Sequence, residues 1–303
     1  MRAFIGVTDR EWFNLLSSKP SLEEVNFWQP SGHRLFRALS PGELFLFKLH
    51  SPNDFIVGGG FYAHSSLLPI SLAWESFGVS NGAPDLPQMR SRVAKYRREQ
   101  EDKFADYTIG CILLEQPFFF SQDQWIPVPA DWKSNIVQGR GYDLTVEPGK
   151  TLWEQLGMAM TAPGVNVEAQ KRYGDPIIIM PRLGQGSFRV LITDVYQRRC
   201  AMTGEKTLPA LEAGHIRPYA DMGQHAVSNG LLLRRDLHAL FDKGYITVTP
   251  SYTIEISKRI KEEFENGKDY YRLHGTTVSV PEKPEDRPAA EHLAWHNETM
   301  FKG

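Results

Sequence analysis

One stretch of 33 residues constrains the fold of this chain more than any other: EAGHIRPYADMGQHAVSNGLLLRRDLHALFDKG, residues 212–244. The segment LPALEAGHIRPY predicts a first strand, and GLLLRR, beyond a polar loop, predicts a second. The following DLHALFDKG predicts a helix that Asp236 caps and that Gly244 ends. The order strand, loop, strand, helix is therefore readable from the residues alone.

Three polar residues stand at the junctions of this unit. His215 ends the first strand, Asn229 follows 14 residues later in a Ser-Asn-Gly bend, and His238 lies nine residues beyond it on the helix. Hydrolysis of a phosphodiester needs a base to deprotonate water and an electrophile to stabilise the developing negative charge. A neutral histidine suits the first task because its pKa lies near working pH, and a divalent metal ion suits the second.

These residue types, their spacing and the element order resemble the HNH endonuclease family, whose ββα-metal site hydrolyses DNA. The resemblance implies that His215 is the general base, that Asn229 braces the loop and orients His215, and that His238 binds Mg²⁺ or Mn²⁺. The preceding RLGQGSFRVLITDVYQRRCAMTG predicts an amphipathic helix, because its apolar residues recur at helical spacing. This opening resembles a restriction-type branch of the same family.

The second metal ligand is left open by the sequence. Many HNH motifs place an aspartate directly before the base, whereas this chain has Gly214. Asp242 is our first choice, because a carboxylate at i+4 from His238 lies on the same helix face and can reach the same ion. The alternatives are Glu212 and Asp221. His225 lies in the same loop, but its neighbours give it no support as a ligand.

Arginines flank the predicted site and are candidates for phosphate contacts, since guanidinium pairs bidentately with phosphate oxygens. The candidates are Arg217, Arg234 and Arg235, with Arg182 and Arg189 as weaker ones. Because Arg234 and Arg235 are adjacent, we expect at most one of them to face the DNA. A further basic cluster lies in the charged helix predicted at 86–103. It is interpreted as a solvated face, with a phosphate-facing surface as the alternative.

Residues 1–155 predict a mostly β domain with one or two helices. The pattern PGELFLFKL…N…IVGGGFY is similar to PUA-type barrels, which include the EVE, YTH and ASCH domains. This resemblance implies a small barrel that holds a modified or flipped base in an aromatic pocket. The candidate pocket residues are Trp28, Phe61, Tyr62, Trp74 and Trp125. The alternative is that each of these aromatics belongs to an ordinary barrel core.

The cysteine count predicts the compartment of this protein and the kind of metal site that it lacks. The only two cysteines, Cys111 and Cys200, argue for a reducing compartment, and we expect a cytoplasmic protein without a disulfide scaffold. They also exclude a zinc site of paired Cys-x-x-Cys elements, so no structural zinc is expected.

No apolar run approaches the length of a membrane span, and no secretory signal is expected. The net charge is −2, but residues 171–243 hold 11 Lys/Arg and 7 Asp/Glu, an excess of 11 − 7 = +4 that permits DNA binding.

Together these features predict an α+β protein: an N-terminal PUA-like β-barrel domain with helices at 1–155, a linker at 156–180, and a C-terminal ββα-metal HNH nuclease domain at 181–303. The predicted function is metal-dependent cleavage of double-stranded DNA as a restriction-type endonuclease, directed to modified DNA by the N-terminal domain. One metal site per chain suggests a homodimer, since each site cuts one strand. The alternative is a binding module for modified nucleic acid with a degenerate nuclease domain.

Overall fold

The computed structural model describes residues 1–97, 102, 105–160, 183–218 and 226–303. The chain divides into two compact units, Met1–Ser187 and Phe188–Gly303. Most of the linker predicted at 156–180 lies outside the described residues, and its first five residues belong to a helix. Both units combine helices with strands, which confirms the predicted α+β class.

The described residues of the first unit form one seven-stranded sheet and four α-helices that lie wholly within the unit. Its strands are β1 (Arg2–Thr8), β2 (Glu24–Gln29), β3 (Leu44–Leu49), β4 (Phe55–Pro69), β5 (Thr108–Phe119), β6 (Ile126–Pro127) and β7 (Gly139–Asp143). Its helices are α1 (Arg10–Ser17), α2 (Ile70–Phe77), α3 (Leu86–Tyr96) and α4 (Gly149–Met160).

The sheet has the order β2-β5-β4-β3-β1-β7, with β6 paired to β4. Strands β1 and β3 run parallel, and the other pairs are antiparallel. Among the described residues, the hydrogen-bonded order ends at β2 on one side and at β7 on the other. The structure therefore shows a mixed sheet, and the closed barrel stays a prediction.

Strand β3 explains how one segment serves two cores. Its residues alternate between the faces of the sheet, as successive residues of a strand do. Leu44 and Leu46 pack in the core that includes α4, whereas Phe45 and Phe47 pack with α1 and other aromatic side chains. All four side chains are buried, so these residues have no solvent-facing side and form a continuous apolar run from Leu44 to Phe47.

Glycine and proline in the sequence predict a strand end at Gly58-Gly59-Gly60 and a turn at Gln116-Pro117, and both predictions are wrong. The strand predicted to end at Gly58-Gly59-Gly60 continues to Pro69. The glycines are needed there because β5 approaches closely: a Cβ on Gly58 would lie 2.3 Å from the Phe118 carbonyl oxygen. The turn predicted at Gln116-Pro117 is instead part of β5, where Gln116 has φ 47° and the register with β4 shifts, as at a β-bulge.

The second unit is built from short elements. Helix α5 (Gln185–Val195) leads into it and matches the predicted amphipathic helix. The remaining elements are β8 (Leu211–His215), β9 (Gly230–Arg234), α6 (Arg235–Asp242), β10 (Ile246–Val248), β11 (Ile254–Ile256), α7 (Arg259–Phe264), α8 (Lys268–Tyr271) and α9 (Ala290–Thr299). Strands β8 and β9 form one antiparallel pair and β10 and β11 another. The two strands and the helix of the predicted strand, loop, strand, helix unit are thus confirmed, and residues 219–225 of its loop lie outside the described residues.

No helix in the described part of the chain is at once long enough and apolar enough for a membrane crossing.

Candidate active site

His215 is the last residue of β8 and pairs with Gly230, the first residue of β9. Its ring lies flat against Phe188 of helix α5, with the ring centroids 3.9 Å apart and the planes 8° apart. Phe188 is 1% exposed, so the aromatic plate that supports His215 is itself fixed in the core. The stack restricts the orientation of the imidazole. The helical spacing of the apolar residues predicts a core-facing Phe188 but does not predict this contact.

Asn229 is fully buried and holds the chain that follows His215. Its Oδ1 accepts a hydrogen bond from the Arg217 backbone N–H and its Nδ2 donates to the Arg217 carbonyl, both at 2.9 Å. Its own carbonyl accepts from the Ile216 N–H, also at 2.9 Å. Three hydrogen bonds from one residue therefore fix the backbone immediately after His215. The resemblance to HNH endonucleases implies a bracing role for this asparagine.

His238 lies on α6 between two carboxylates. Its Nδ1 is 3.0 Å from Glu212 Oε2 on β8, and its Nε2 is 3.4 Å from Asp242 Oδ2, one helical turn away. When Nδ1–H donates to Glu212, Nε2 keeps its lone pair and faces Asp242. Arg235 Nε stands 3.1 Å from Glu212 Oε1, so the carboxylate that orients the histidine is itself held.

Asp242 has an electrostatic environment that differs from that of an ordinary surface carboxylate. Burial raises its pKa, the charge of Glu212 raises it further, and His238 opposes both effects. A nearby cation would lower this pKa and stabilise the charged form. The site therefore favours a positive charge close to Asp242.

These residues fit a divalent cation as a partial ligand set. Two ligands at right angles around an ion, each about 2.1 Å from it, stand about 3.0 Å apart, close to the 3.4 Å between His238 Nε2 and Asp242 Oδ2. Within the described residues, no group of three or more His, Cys, Asp or Glu side chains could hold a metal ion. Mg²⁺ commonly keeps several waters and binds through one or two carboxylates and a substrate phosphate, which is compatible with a pair. Asp221 and His225, named from the sequence, lie outside the described residues.

Gly214 has a steric reason to be glycine. A Cβ at this position would lie 2.5 Å from His238 Cδ2 and 2.6 Å from His238 Nε2. The imidazole therefore occupies the space that a side chain before His215 would need. An aspartate cannot stand at 214 unless His238 moves, which accounts for this departure from the common HNH pattern.

The three arginines predicted to contact DNA have different surroundings. Arg234 makes two hydrogen bonds to Asp236, at 2.8 and 2.6 Å, and these lower the pKa of Asp236. Arg235 contacts Glu212, and the Arg217 guanidinium lies 5.3 Å from the centroid of the Trp295 ring. Their contacts with DNA stay predictions. Arg182 lies outside the described residues.

The start of helix α6 differs from the prediction, whereas its end agrees with it. Asp236, predicted as the cap, lies in the first turn, and the cap position belongs to Arg234, whose side chain makes no capping bond. The reason is the ion pair, which engages the Asp236 carboxylate. Gly244 follows the helix with φ 73°, and its N–H donates to the Phe241 carbonyl at 2.9 Å, so it ends the helix as predicted.

The first unit contains a separate cavity of about 860 Å³. Its lining includes Asp9, Trp12, Trp28, His50, Tyr96 and Arg97. Of the aromatics named from the sequence, Trp28 lines it. Phe61 and Tyr62 are 5% and 6% exposed, and each belongs to one of the two cores of the first unit. Neither Trp74 nor Trp125 lines the cavity. The aromatic residues that line the cavity therefore differ from the predicted ones, with the exception of Trp28.

Asp9, His50 and Tyr96 were missed for an identifiable reason. The residues around Asp9 predict only a helix cap, a role that it does fill, since its Oδ1 accepts the Trp12 N–H at 2.7 Å. The strand before it, β1, was not predicted. Without β1 and its parallel partner β3, nothing in the sequence relates Asp9 to His50.

One segment of the chain matches a known protein family. HNH endonuclease is the family that matches, over residues 200–249. Similar solved structures include an ASCH protein from Zymomonas mobilis, at 10% identity and a TM-score of 0.33, covering 51% of this chain and 92% of that one. Another is a modification-dependent restriction endonuclease, TagI, at 11% identity and a TM-score of 0.31, covering 98% of this chain and 82% of that one. A search of curated proteins finds no match. The segment that matches the HNH endonucleases, residues 200–249, contains β8, β9 and α6 with His215, Asn229 and His238, as their spacing predicts.

Proposed function

We propose that this protein is a metal-dependent DNA endonuclease of restriction type, with its reaction centre at His215, Asn229 and His238. The observation that carries the proposal is the HNH endonuclease match over residues 200–249, which falls on the strand pair and helix that hold these three residues. The orienting contacts from Phe188, Asn229 and Glu212 support it, because a working site needs fixed side chains.

In this mechanism His215 takes the proton of a water molecule that attacks the phosphorus. The stack on Phe188 keeps its ring in one orientation, and Asn229 keeps the chain beyond it from shifting. His238 and Asp242 would hold Mg²⁺ or Mn²⁺, with Glu212 orienting His238 rather than binding the ion. A bound ion would stabilise charge on the phosphate oxygens and on the leaving oxygen.

The proposal assigns the choice of DNA to the first unit. Its cavity of about 860 Å³ falls in the size range of ligand pockets and has aromatic walls, as a site for an extrahelical modified base requires. The substrate is double-stranded DNA. A homodimer would place two reaction centres on one duplex, so that both strands are cut. Both cysteines are buried and neither is in a disulfide among the described residues, which is compatible with the proposed cytoplasmic location.

The test is cleavage of supercoiled plasmid with Mg²⁺ or Mn²⁺, using plasmid with and without cytosine modification. We expect nicking or cutting by the wild-type protein, a preference for modified plasmid, and loss of activity in His215→Ala. His274→Ala is the matched control, because His274 is an exposed histidine of the same unit that lies outside the proposed site. Equal activity of wild-type and His215→Ala protein would overturn the nuclease proposal. Equal cutting of both plasmids would overturn only the modified-base part.

A second candidate function is a binding module for modified nucleic acid whose nuclease unit is inactive. The observation that favours it is the lack of a third metal-binding side chain in the described part of the site, together with glycine at position 214. Calorimetric titration with Mn²⁺ separates the two. Metal binding that His238→Ala abolishes supports the nuclease, and absence of metal binding by the wild-type protein supports the binding module.

A further inference from the structure

Helix α9 begins beside the loop that holds the reaction centre. The Ala289 N–H, directly before the helix, donates to the Ser228 carbonyl at 2.9 Å. Ser228 precedes Asn229, whose side chain holds the Arg217 backbone through two hydrogen bonds. The first turn of α9 is therefore tied to the chain that follows His215. The HNH match ends at residue 249, so this helix contributes from outside the matched segment.

The Arg217 side chain lies over an aromatic ring of this helix. Its guanidinium carbon is 5.3 Å from the centroid of the Trp295 ring. A guanidinium in this position is attracted to the ring, while the N–H groups around its edge keep the geometry for bidentate contact with an anion. Both side chains are half-buried, so the pair lies at the surface. Arg217 follows His215 by two positions, which corresponds to roughly 7 Å of extended chain from the proposed base.

His292 stands next to this pair, because positions three apart on a helix are neighbours and His292 precedes Trp295 by three. Burial lowers the pKa of the His292 imidazole, the charge of Glu291 opposes this effect, and the charge of Arg217 lowers the pKa further. The ring is therefore neutral near pH 7 and close enough to Arg217 to interact with its charge.

The His292 ring has one nitrogen that faces the protein. Nδ1 is buried and makes no hydrogen bond among the described residues. A buried N–H without an acceptor is rarely tolerated, so the single proton of the neutral ring belongs on Nε2. His292 thus offers an uncharged N–H donor beside the charged donors of Arg217.

We propose that Arg217, Trp295 and His292 form a binding site for a DNA backbone phosphate that lies within two nucleotides of the phosphate that is cleaved. Arg217 and His292 Nε2–H donate to the phosphate oxygens, and Trp295 holds the guanidinium in place. The position follows from the roughly 7 Å to His215 and the rise of about 3.4 Å per nucleotide along a DNA strand. The amino-acid sequence indicates only Arg217 for such a role, and α9 supplies the other two residues. This inference rests on the proposed function and names how the nuclease unit binds DNA next to its reaction centre.

The experiment measures binding of the full chain to fluorescein-labelled duplex DNA by anisotropy, in EDTA and over a series of NaCl concentrations. Each phosphate contact made by a charged side chain contributes about 0.9 to the slope of log Kobs against log[salt]. We expect Arg217→Ala to reduce the slope by about 0.9 and to weaken binding about 10- to 150-fold. Arg217→Lys keeps the charge and should keep the slope. An unchanged slope in Arg217→Ala would overturn the inference.

The residues of α9 have a different expected signature. His292→Ala removes an uncharged donor, so it should weaken binding about 2- to 12-fold and leave the slope unchanged. Trp295→Leu keeps an apolar side chain in the packing but removes the ring, and it should weaken binding about 2- to 30-fold. Wild-type affinity of both variants would overturn the assignment to α9.

Two comparisons exclude a general loss of charge or of fold. Arg272→Ala removes an exposed arginine of the same unit and should keep the slope and the affinity. The effects should be equal on duplexes with and without 5-methylcytosine, because phosphate contacts carry no sequence information. An equal loss in Arg272→Ala, or an effect confined to one of the two duplexes, would contradict a local phosphate site.

The result is separable from the nuclease proposal because the binding measurement requires neither metal nor cleavage. A protein that nicks plasmid but shows an unchanged slope in Arg217→Ala refutes the phosphate site alone. A protein that shows the reduced slope but fails to nick with Mg²⁺ or Mn²⁺ refutes the nuclease alone.

Discussion

Replacing Gly214 with alanine tests whether the position of the His238 ring determines the properties of the site. The new Cβ would stand 2.5 Å from His238 Cδ2, whereas ordinary contact begins near 3.4 Å. The ring must therefore move by roughly 3.4 − 2.5 = 0.9 Å, or the strand must yield by the same amount. The ring has little freedom to move, because Glu212 and Asp242 contact its two nitrogens at 3.0 and 3.4 Å.

The size of the effect follows from these contacts. Overpacking of a closely packed position costs about 1–3 kcal/mol of unfolding free energy. A displacement of roughly 1 Å also separates His238 Nδ1 from Glu212, and loss of such an orienting contact weakens metal binding about 10- to 100-fold. Misplacement by 1 Å at a reaction centre lowers the rate about 100-fold. Gly214→Ala should therefore lose stability, metal affinity and nicking rate together.

The assays are urea unfolding, Mn²⁺ titration calorimetry and plasmid nicking, each compared with Gly141→Ala. Gly141, on β7, is the control because its nearest contacts to a new Cβ are 3.9 and 4.0 Å, so alanine fits there without movement. We expect Gly141→Ala to match the wild-type protein in all three measurements. Gly214→Ala with wild-type stability and metal affinity would refute the argument, since the predicted clash would then have no consequence.

Three further predictions concern neighbouring residues. Because Glu212 orients His238, Glu212→Gln should reduce Mn²⁺ affinity about 10- to 100-fold in titration calorimetry. The free energy of unfolding should change little. Asn229→Ala should cost about 2–3 kcal/mol in urea unfolding and abolish nicking, because it removes two partly buried hydrogen bonds from the Asn229 side chain to the Arg217 backbone; wild-type stability would contradict this. His296 is 2% exposed, and burial lowers its pKa to about 4, so the unfolded chain binds the extra proton between pH 6.5 and pH 4. Stability should fall by about 3 kcal/mol as pH drops through this window, and His296→Gln should lack that component in urea unfolding measured at pH 7 and pH 4.

The strand, loop, strand and helix of the candidate site were predictable because the relevant signals are local. Apolar runs, the Ser-Asn-Gly bend and Gly244 each act within a few residues, and the i+4 relation brings Asp242 to His238 without knowledge of the fold. The partner on the opposite nitrogen, Glu212, lies 26 positions before His238. It was named only as an alternative ligand, because the register of β8 against α6 decides its position.

The first unit was less predictable because its organisation depends on pairing between distant strands. Strand β1 pairs in parallel with β3, more than 40 positions away, and neither the hydrophobic pattern nor the turns of these segments indicate that partner. Glycine at 58–60 suggested a strand end where in fact two strands approach closely. Core aromatics such as Phe61 cannot be distinguished by type from cavity aromatics such as Trp28, since each stands beside another aromatic residue on its strand.

The flat contact between Phe188 and His215 has a consequence for how this site could be transferred between proteins. The HNH match begins at residue 200, yet the ring that supports His215 comes from a helix upstream of it. At the other end, His296 of α9 bonds to the Phe241 carbonyl, well beyond the last matched residue, 249. A graft limited to the matched segment would carry the reactive side chains without their supports. The portable block extends from the start of α5 to the end of α9, and recombination junctions that preserve activity should lie outside those two helices.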